Sequence, residues 1–116
     1  MEKLFDAELK LMEILWEHPP LPAKDISLLA AETLDWNKNT TYTVLKRLVE
    51  KGALDRREPG FICVPRLNRT DAQKIETETL IQRLFGGSKS AFFAAFADEK
   101  LSEDEIGALK ALIEKK

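Results

Sequence analysis

The side chains that usually carry catalysis or bind metals are scarce in this chain, which has one histidine, His18, and one cysteine, Cys63. One of each cannot complete a structural zinc site, and a lone cysteine cannot close an internal disulfide. His18 precedes Pro19-Pro20 at the expected end of a helix, where a surface imidazole suits the negative end of the helix dipole. Cys63 sits in an apolar run, Phe61 to Pro65, where a half-buried thiol is inert rather than redox-sensing. The acidic run Glu103-Asp104-Glu105 follows Ser102 and reads as the first turn of a helix, which the dipole favours, rather than as a pair of catalytic acids. The sequence therefore predicts no catalytic residue, no metal, no cofactor and no small-molecule ligand, and the chain is not read as an enzyme.

What remains is the chemistry of hydrogen-bond donation. Asn37, Lys38, Asn39, Thr40, Tyr42, Thr43, Lys46 and Arg47 form a run of amide, hydroxyl and cationic side chains, and Arg56 and Arg57 follow shortly after. At 100° per residue, Asn39, Thr43, Lys46, Arg47 and Glu50 share one face of a helix, with Thr40 and Tyr42 at its flanks. Thr41, Val44, Leu45 and Leu48 share the opposite, inward face. Short donors on a face poor in carboxylates suit base edges and phosphates, so Asn39, Thr40, Thr43 and Lys46 are candidates for those contacts. Arg47 either binds a phosphate or pairs with Glu50 or Asp55. Arg56 and Arg57 are neighbours on a strand, so their side chains point to opposite faces and only one of them faces a duplex.

The charge distribution follows the same division. The net charge is -2, but residues 1–35 carry 3 basic and 8 acidic side chains, residues 36–69 carry 8 and 3, and residues 70–116 carry 7 and 9. The whole positive excess lies in the central third, as a nucleic-acid-binding surface requires.

The elements that would position these residues can be read from the periodicity. A first helix spans Asp6 to Glu17 with Leu9, Met12, Leu15 and Trp16 at helical spacing, Asp6 as N-cap and Trp16 in the core. A second runs from Pro22 or Ala23 to Thr33, with Ile26, Leu29 and Ala30 inward. Trp36 is expected as a core staple or a backbone-phosphate donor at the entry to a third helix, which Asn37 caps and which ends at Lys51 before Gly52. From Ala53 the period changes, and a hairpin turning at Pro59-Gly60 is expected, with Pro65 at a strand end or edge. Thr70-Asp71-Ala72-Gln73 and Ser102-Glu103-Asp104-Glu105 have capping-box form. They start a helix to Phe85, broken by Gly86-Gly87, and a last helix from Glu103, with a short helix from Ser88 to Ala97 between.

A chain of 116 residues, 44% hydrophobic and 33% charged, is expected to fold as a soluble, mainly helical protein with a small β-hairpin. Its longest apolar stretch, Ala91 to Ala97, is far too short to cross a bilayer, and the start lacks a basic-then-apolar leader, so a cytoplasmic location is expected. Helix, helix, helix, hairpin is the order of a winged helix-turn-helix over residues 1–68, with the third helix as recognition helix. Three short helices over 69–116 bury little alone. Phe85, Phe92, Phe93 and Phe96, with Ile75, Leu80, Leu84, Ile106, Leu109, Leu112 and Ile113, are therefore expected to form an intersubunit core.

Trp16 in a Leu-Trp helix ending, and the run from Trp36 through Thr40-Thr41-Tyr42-Thr43-Val44-Leu45-Lys46-Arg47-Leu48 to Lys51-Gly52, resemble the penicillinase repressor family, the BlaI/MecI/CopY regulators. The tail from Phe96 through Leu101-Ser102-Glu103-Asp104-Glu105-Ile106 to Leu112 is similar to that family's C-terminal segment, so the resemblance covers essentially the whole chain. It implies a homodimeric transcriptional repressor that binds double-stranded operator DNA and regulates antibiotic resistance. It also implies a membrane-bound sensor metalloprotease whose signal leads to cleavage inside the C-terminal lobe. Two departures stand out. Ala95 precedes Phe96 where the cleaved repressors carry Asn, and the paired-cysteine tail of the copper-responsive members is missing. The alternative from a different class is a winged-helix protein-interaction module that uses the same face for an acidic partner.

Overall fold

The computed structural model describes residues 3–97 and 102–114. The chain divides into two compact units, residues 1–72 and 73–116.

The first unit holds α1 (Asp6–Trp16), β1 (Leu21–Pro22), α2 (Ala23–Leu34), α3 (Lys38–Glu50), β2 (Leu54–Arg57) and β3 (Ile62–Pro65). The three helices pack on one another, and the sheet closes against α1 and α3. Leu11, Met12, Leu15, Ile26, Ala30, Val44, Leu45 and Leu48 are buried together with Leu54 and Cys63 from the sheet. Met12, Leu15, Ile26, Ala30, Val44, Leu45 and Leu48 are inward positions that the helical period assigns, whereas Leu9 and Leu29 are only half-buried and Leu11, which that reading does not assign inward, takes a core place in α1.

Three local details differ from expectation. Asp6 is not the N-cap of α1: Phe5 occupies that position in extended conformation, and Glu8 reaches back so that its Oε1 accepts the Phe5 N–H at 2.7 Å. A carboxylate three residues into the helix satisfies an otherwise orphan donor, and this fixes the start one residue early. The hairpin is part of a three-stranded antiparallel sheet ordered β1-β3-β2. Two residues, Leu21 opposite Cys63 and Pro22 opposite Ile62, are too few to show an alternating pattern in sequence. β3 is therefore the central strand, and Pro65 ends it beyond the stretch paired with β1, where a missing N–H is harmless.

α4 (Arg69–Phe85) begins in the first unit and continues into the second, followed by α5 (Lys89–Ala97) and α6 (Glu103–Glu114). The cap of α4 is Asn68, whose Oδ1 accepts the Asp71 N–H at 2.8 Å, not Thr70. The amide of an asparagine just outside the helix satisfies the same donors that Thr70 would have to reach from within. Gly86 and Gly87, at φ 57° and 83°, end α4 in the left-handed conformation that glycine adopts without a Cβ clash. Ser88 Oγ then caps α5 through the Ala91 N–H, and Ser102 and Glu105 form the expected reciprocal capping box at α6.

Candidate nucleic-acid interface

The face of α3 that the sequence singles out is a real surface. Lys38, Asn39, Thr40, Thr43, Lys46, Arg47 and Glu50 are all exposed, while Thr41, Val44, Leu45 and Leu48 are buried. Asn37 caps the helix, its Oδ1 accepting the Thr40 N–H at 2.8 Å, so its NH₂ is the part left for a ligand. Thr43 Oγ1 donates to Asn39 O at 2.8 Å, which fixes the hydroxyl along the helix and leaves its lone pairs outward. Tyr42 is half-buried and meets the Phe61 ring edge-on at 6.1 Å, with Lys38 Nζ 5.8 Å from the Tyr42 ring centre. Lys46, Arg47 and Arg57 take part in no ion pair among the described residues. Arg47 thus meets neither Glu50 nor Asp55, and Asp55 pairs instead with Arg66 at 3.6 Å. Unpaired guanidinium and ammonium groups on one surface are available to an anionic partner.

The wing arginines differ. Both are exposed, but Arg56 bonds to Glu58 and lies 3.9 Å over the Phe61 ring, whereas Arg57 takes part in no ion pair among the described residues. That bond, followed by the Phe61 N–H, holds the Glu58 carboxyl below its usual range. Trp36 is half-buried, and its backbone N–H donates to Ala30 O.

Cys63 is buried, and loss of water pushes its thiol up to about 11. His18 is exposed, with Nδ1 2.8 Å from Ile14 O. Among the described residues no cluster of His, Cys, Asp or Glu is placed to hold a metal ion. Nor is any helix among them long and apolar enough to cross a membrane.

Two clusters that support the site escape sequence reading. Glu8 is fully buried, and its Oε1 also accepts from Lys51 Nζ at 2.6 Å. Lys51, the C-cap of α3, donates to Lys3 O as well, so the start of α1 is tied to the end of α3. Trp16 is half-buried rather than a core residue: its Nε1–H donates to Leu67 O at 2.9 Å, and the Arg69 guanidinium lies 5.4 Å over its ring. Arg69 bonds to both Glu13 and Glu17. These partners are 43 to 56 residues apart in sequence, beyond any local spacing rule. The only hint is an amphipathic α1 with acids along its outer side.

In the second unit Phe92 is buried, edge-on to Phe85 at 5.5 Å and to Phe96 at 5.2 Å. Ile75, Phe85 and Phe93 are half-buried, and Leu80, Leu84, Phe96 and Ile106 are exposed. The side chains of Leu109, Leu112 and Ile113 lie outside the described residues. Ala95 and Phe96 are exposed within α5.

Comparison with known proteins gives consistent matches. The sequence model of the family described as penicillinase repressor matches residues 4–115. The chain is 27% identical over 115 residues to the penicillinase repressor of Bacillus licheniformis, covering 97% of this chain and 90% of that one. It is 26% identical over 117 residues to the methicillin resistance regulatory protein MecI of Staphylococcus aureus, covering 98% and 95%. Among solved structures it is similar to the DNA binding domain of the repressor BlaI, with a TM-score of 0.55 and 32% identity over 61% of this chain and 93% of that one. It is also similar to Bacillus licheniformis BlaI in monomeric form in complex with the blaP half-operator, with a TM-score of 0.54 and 30% identity over 60% and 88%.

Proposed function

Because the chain belongs to the penicillinase repressor family, a family of transcriptional repressors and not of enzymes, we propose that it represses transcription by binding a pseudo-palindromic operator as a homodimer. Residues 1–68 read the DNA and residues 69–116 join the two chains. One observation carries this reading: the outward face of α3 offers Asn39, Thr40, Thr43, Lys46 and Arg47 without an internal ion pair, on a winged helix similar to a repressor solved with its half-operator. Thr43 and Asn39 reach base edges, Lys46 and Arg47 neutralise phosphates, and the wing touches the backbone. The regulated genes belong to an antibiotic-resistance response, and the protein acts in the cytoplasm, where its operator is.

In the family's sensor-coupled members a membrane protease signal leads to cleavage in the C-terminal lobe; at the corresponding Ala95–Phe96 bond of this chain we expect poor cleavage. That bond is helical, so α5 must unwind before a protease can hold it extended, and cutting is slow without the Asn side chain of the cleaved members.

The test is a titration of the full chain onto duplexes from the region upstream of its own gene and onto shuffled duplexes of equal composition. A preference for one upstream duplex of at least about 10³-fold supports the reading. Equal affinity for all duplexes, or none, replaces it with a protein-interaction module.

A further inference from the structure

The strand register separates the two wing arginines. Arg56 stands opposite Cys63 and two residues from Leu54, and both neighbours are buried. Side chains directly opposite, or two apart on one strand, share a face of a sheet. Arg56 therefore lies at the outer end of the core-facing side, where its side chain is still 44% exposed and is directed by its partners rather than by burial. Its guanidinium covers the Phe61 ring at 3.9 Å, and its Nε donates to Glu58 Oε2. Glu58 Oε1 accepts from the Phe61 N–H at 3.2 Å. Phe61 is only 7% exposed, touches Tyr42 of α3 edge-on, and gives its carbonyl to the Ala23 N–H that opens α2. Arg57 stands opposite Ile62 on the other face and has no ion pair or ring contact among the described residues.

We propose that Glu58 is a specificity-determining residue of the wing: it holds Arg56 on Phe61 and away from DNA phosphates, so that the wing makes one backbone contact, through Arg57. The inference rests on the operator-binding reading above. A phosphate contact strengthens binding to every sequence alike, so withholding one lowers non-specific affinity without touching base readout. Arg56 is then a positioning residue: through Phe61 and Tyr42 it fixes the wing against the recognition helix.

The full chain and four variants, Glu58→Gln, Arg56→Ala, Arg57→Ala and the double variant Glu58→Gln with Arg56→Ala, are titrated onto operator and random duplexes at several salt concentrations. Arg57→Ala should flatten the slope of log affinity against log salt by about one on both duplexes. Arg56→Ala should leave that slope nearly unchanged in the parent chain but flatten it by about one in the Glu58→Gln background. Glu58→Gln alone should raise affinity for the random duplex several-fold and narrow the ratio of operator to random binding. An Arg56→Ala variant that flattens the parent's slope as far as Arg57→Ala does overturns the proposal.

A second measurement needs no DNA. In NMR of the free, isotope-labelled full chain, the Arg56 Nε–H resonance should exchange slowly with solvent and shift in Glu58→Gln, while that of Arg57 exchanges fast. Equal behaviour of the two arginines overturns the pairing, whatever the duplexes show. If the resonances behave as expected but no duplex is bound, it is the operator reading that fails, and the role of Glu58 in it.

Discussion

The two units of this chain satisfy their apolar side chains in different ways. In residues 1–72, Leu11, Met12, Ile26, Leu45, Leu48 and Leu54 are all at most 1% exposed, and even the Glu8 carboxylate is enclosed and paired. The exposed Phe5 and Leu28 of this unit stand on separate elements. In residues 73–116, Ile81 and Phe92 are the buried hydrophobics among the described residues, while Leu80, Leu84, Phe96 and Ile106 are 37% to 66% exposed. A unit that encloses its own core has a stability independent of concentration. One that presents its apolar side chains outward gains stability from association, and so depends on concentration. On the proposed homodimer, the reader is self-sufficient and the connector is completed by its copy.

The sharpest way to break this contrast is Phe96→Asp in the full chain, at a ring that is 39% exposed and that the proposed partner copy would bury. A buried carboxylate without a partner costs several kcal/mol, and losing the link between two half-site readers lowers operator affinity by about 10² to 10⁴. Sedimentation equilibrium should show a monomer whose half-site binding is retained. A dimer of unchanged operator affinity would move the subunit contact into the winged helix.

Glu8→Ala tests the other unit. It removes the only carboxylate partner of the Lys51 ammonium among the described residues, leaving that 12% exposed side chain its bond to Lys3 O, and should destabilise the first unit by about 3–5 kcal/mol in urea unfolding, with no dependence on protein concentration. A loss below about 1 kcal/mol would show that Lys51 swings out to water and that the tie between α1 and α3 is dispensable.

Lys46→Ala should weaken binding to every duplex and reduce the salt slope by about one. Thr43→Ala should instead change which operators are preferred. Titrations on specific and random duplexes measure both effects, and an untouched slope removes Lys46 from the backbone.

The smallest effect concerns Cys63. Burial pushes its thiol up to about 11 from an ordinary 9.0, which favours the neutral form. The stabilisation this gives is complete below about pH 9 and is lost as pH rises through 11, amounting to about 1 kcal/mol at pH 10. The difference in unfolding free energy between the parent chain and Cys63→Ala, followed from pH 7 to 10, should shrink by that amount. A constant difference would mean that the thiol is reached by water in the folded state.

How legible each part is in the sequence depends on the range of the interaction that decides it. The donor face of α3 follows from a 3.6-residue period and a capping asparagine, both local, so Thr41, Val44, Leu45 and Leu48 are assigned inward from sequence alone. Ser102 and Glu105 are legible for the same reason. Glu8 reads as an ordinary acid in the first turn of α1, because nothing near it in sequence announces Lys51. β1 is too short to carry a pattern, and the start of α4 reads as a capping box at Thr70, although Asn68, two residues earlier, takes the cap. Arg56 and Arg57 are told apart only once the register places Cys63 opposite one of them.

Both tryptophans belong to the first unit. Trp16 is held by Leu67 O beneath the Arg69 guanidinium, and Trp36 sits at the entry of α3. The chain has no others, so its intrinsic emission comes entirely from the DNA-reading part. A fluorescence trace recorded during denaturation therefore follows the melting of residues 1–72, the start of α4 included, and does not report the opening of α5 and α6, which circular dichroism registers. Overlaying the two signals makes visible, without any label, whether the halves of the repressor unfold together or in sequence.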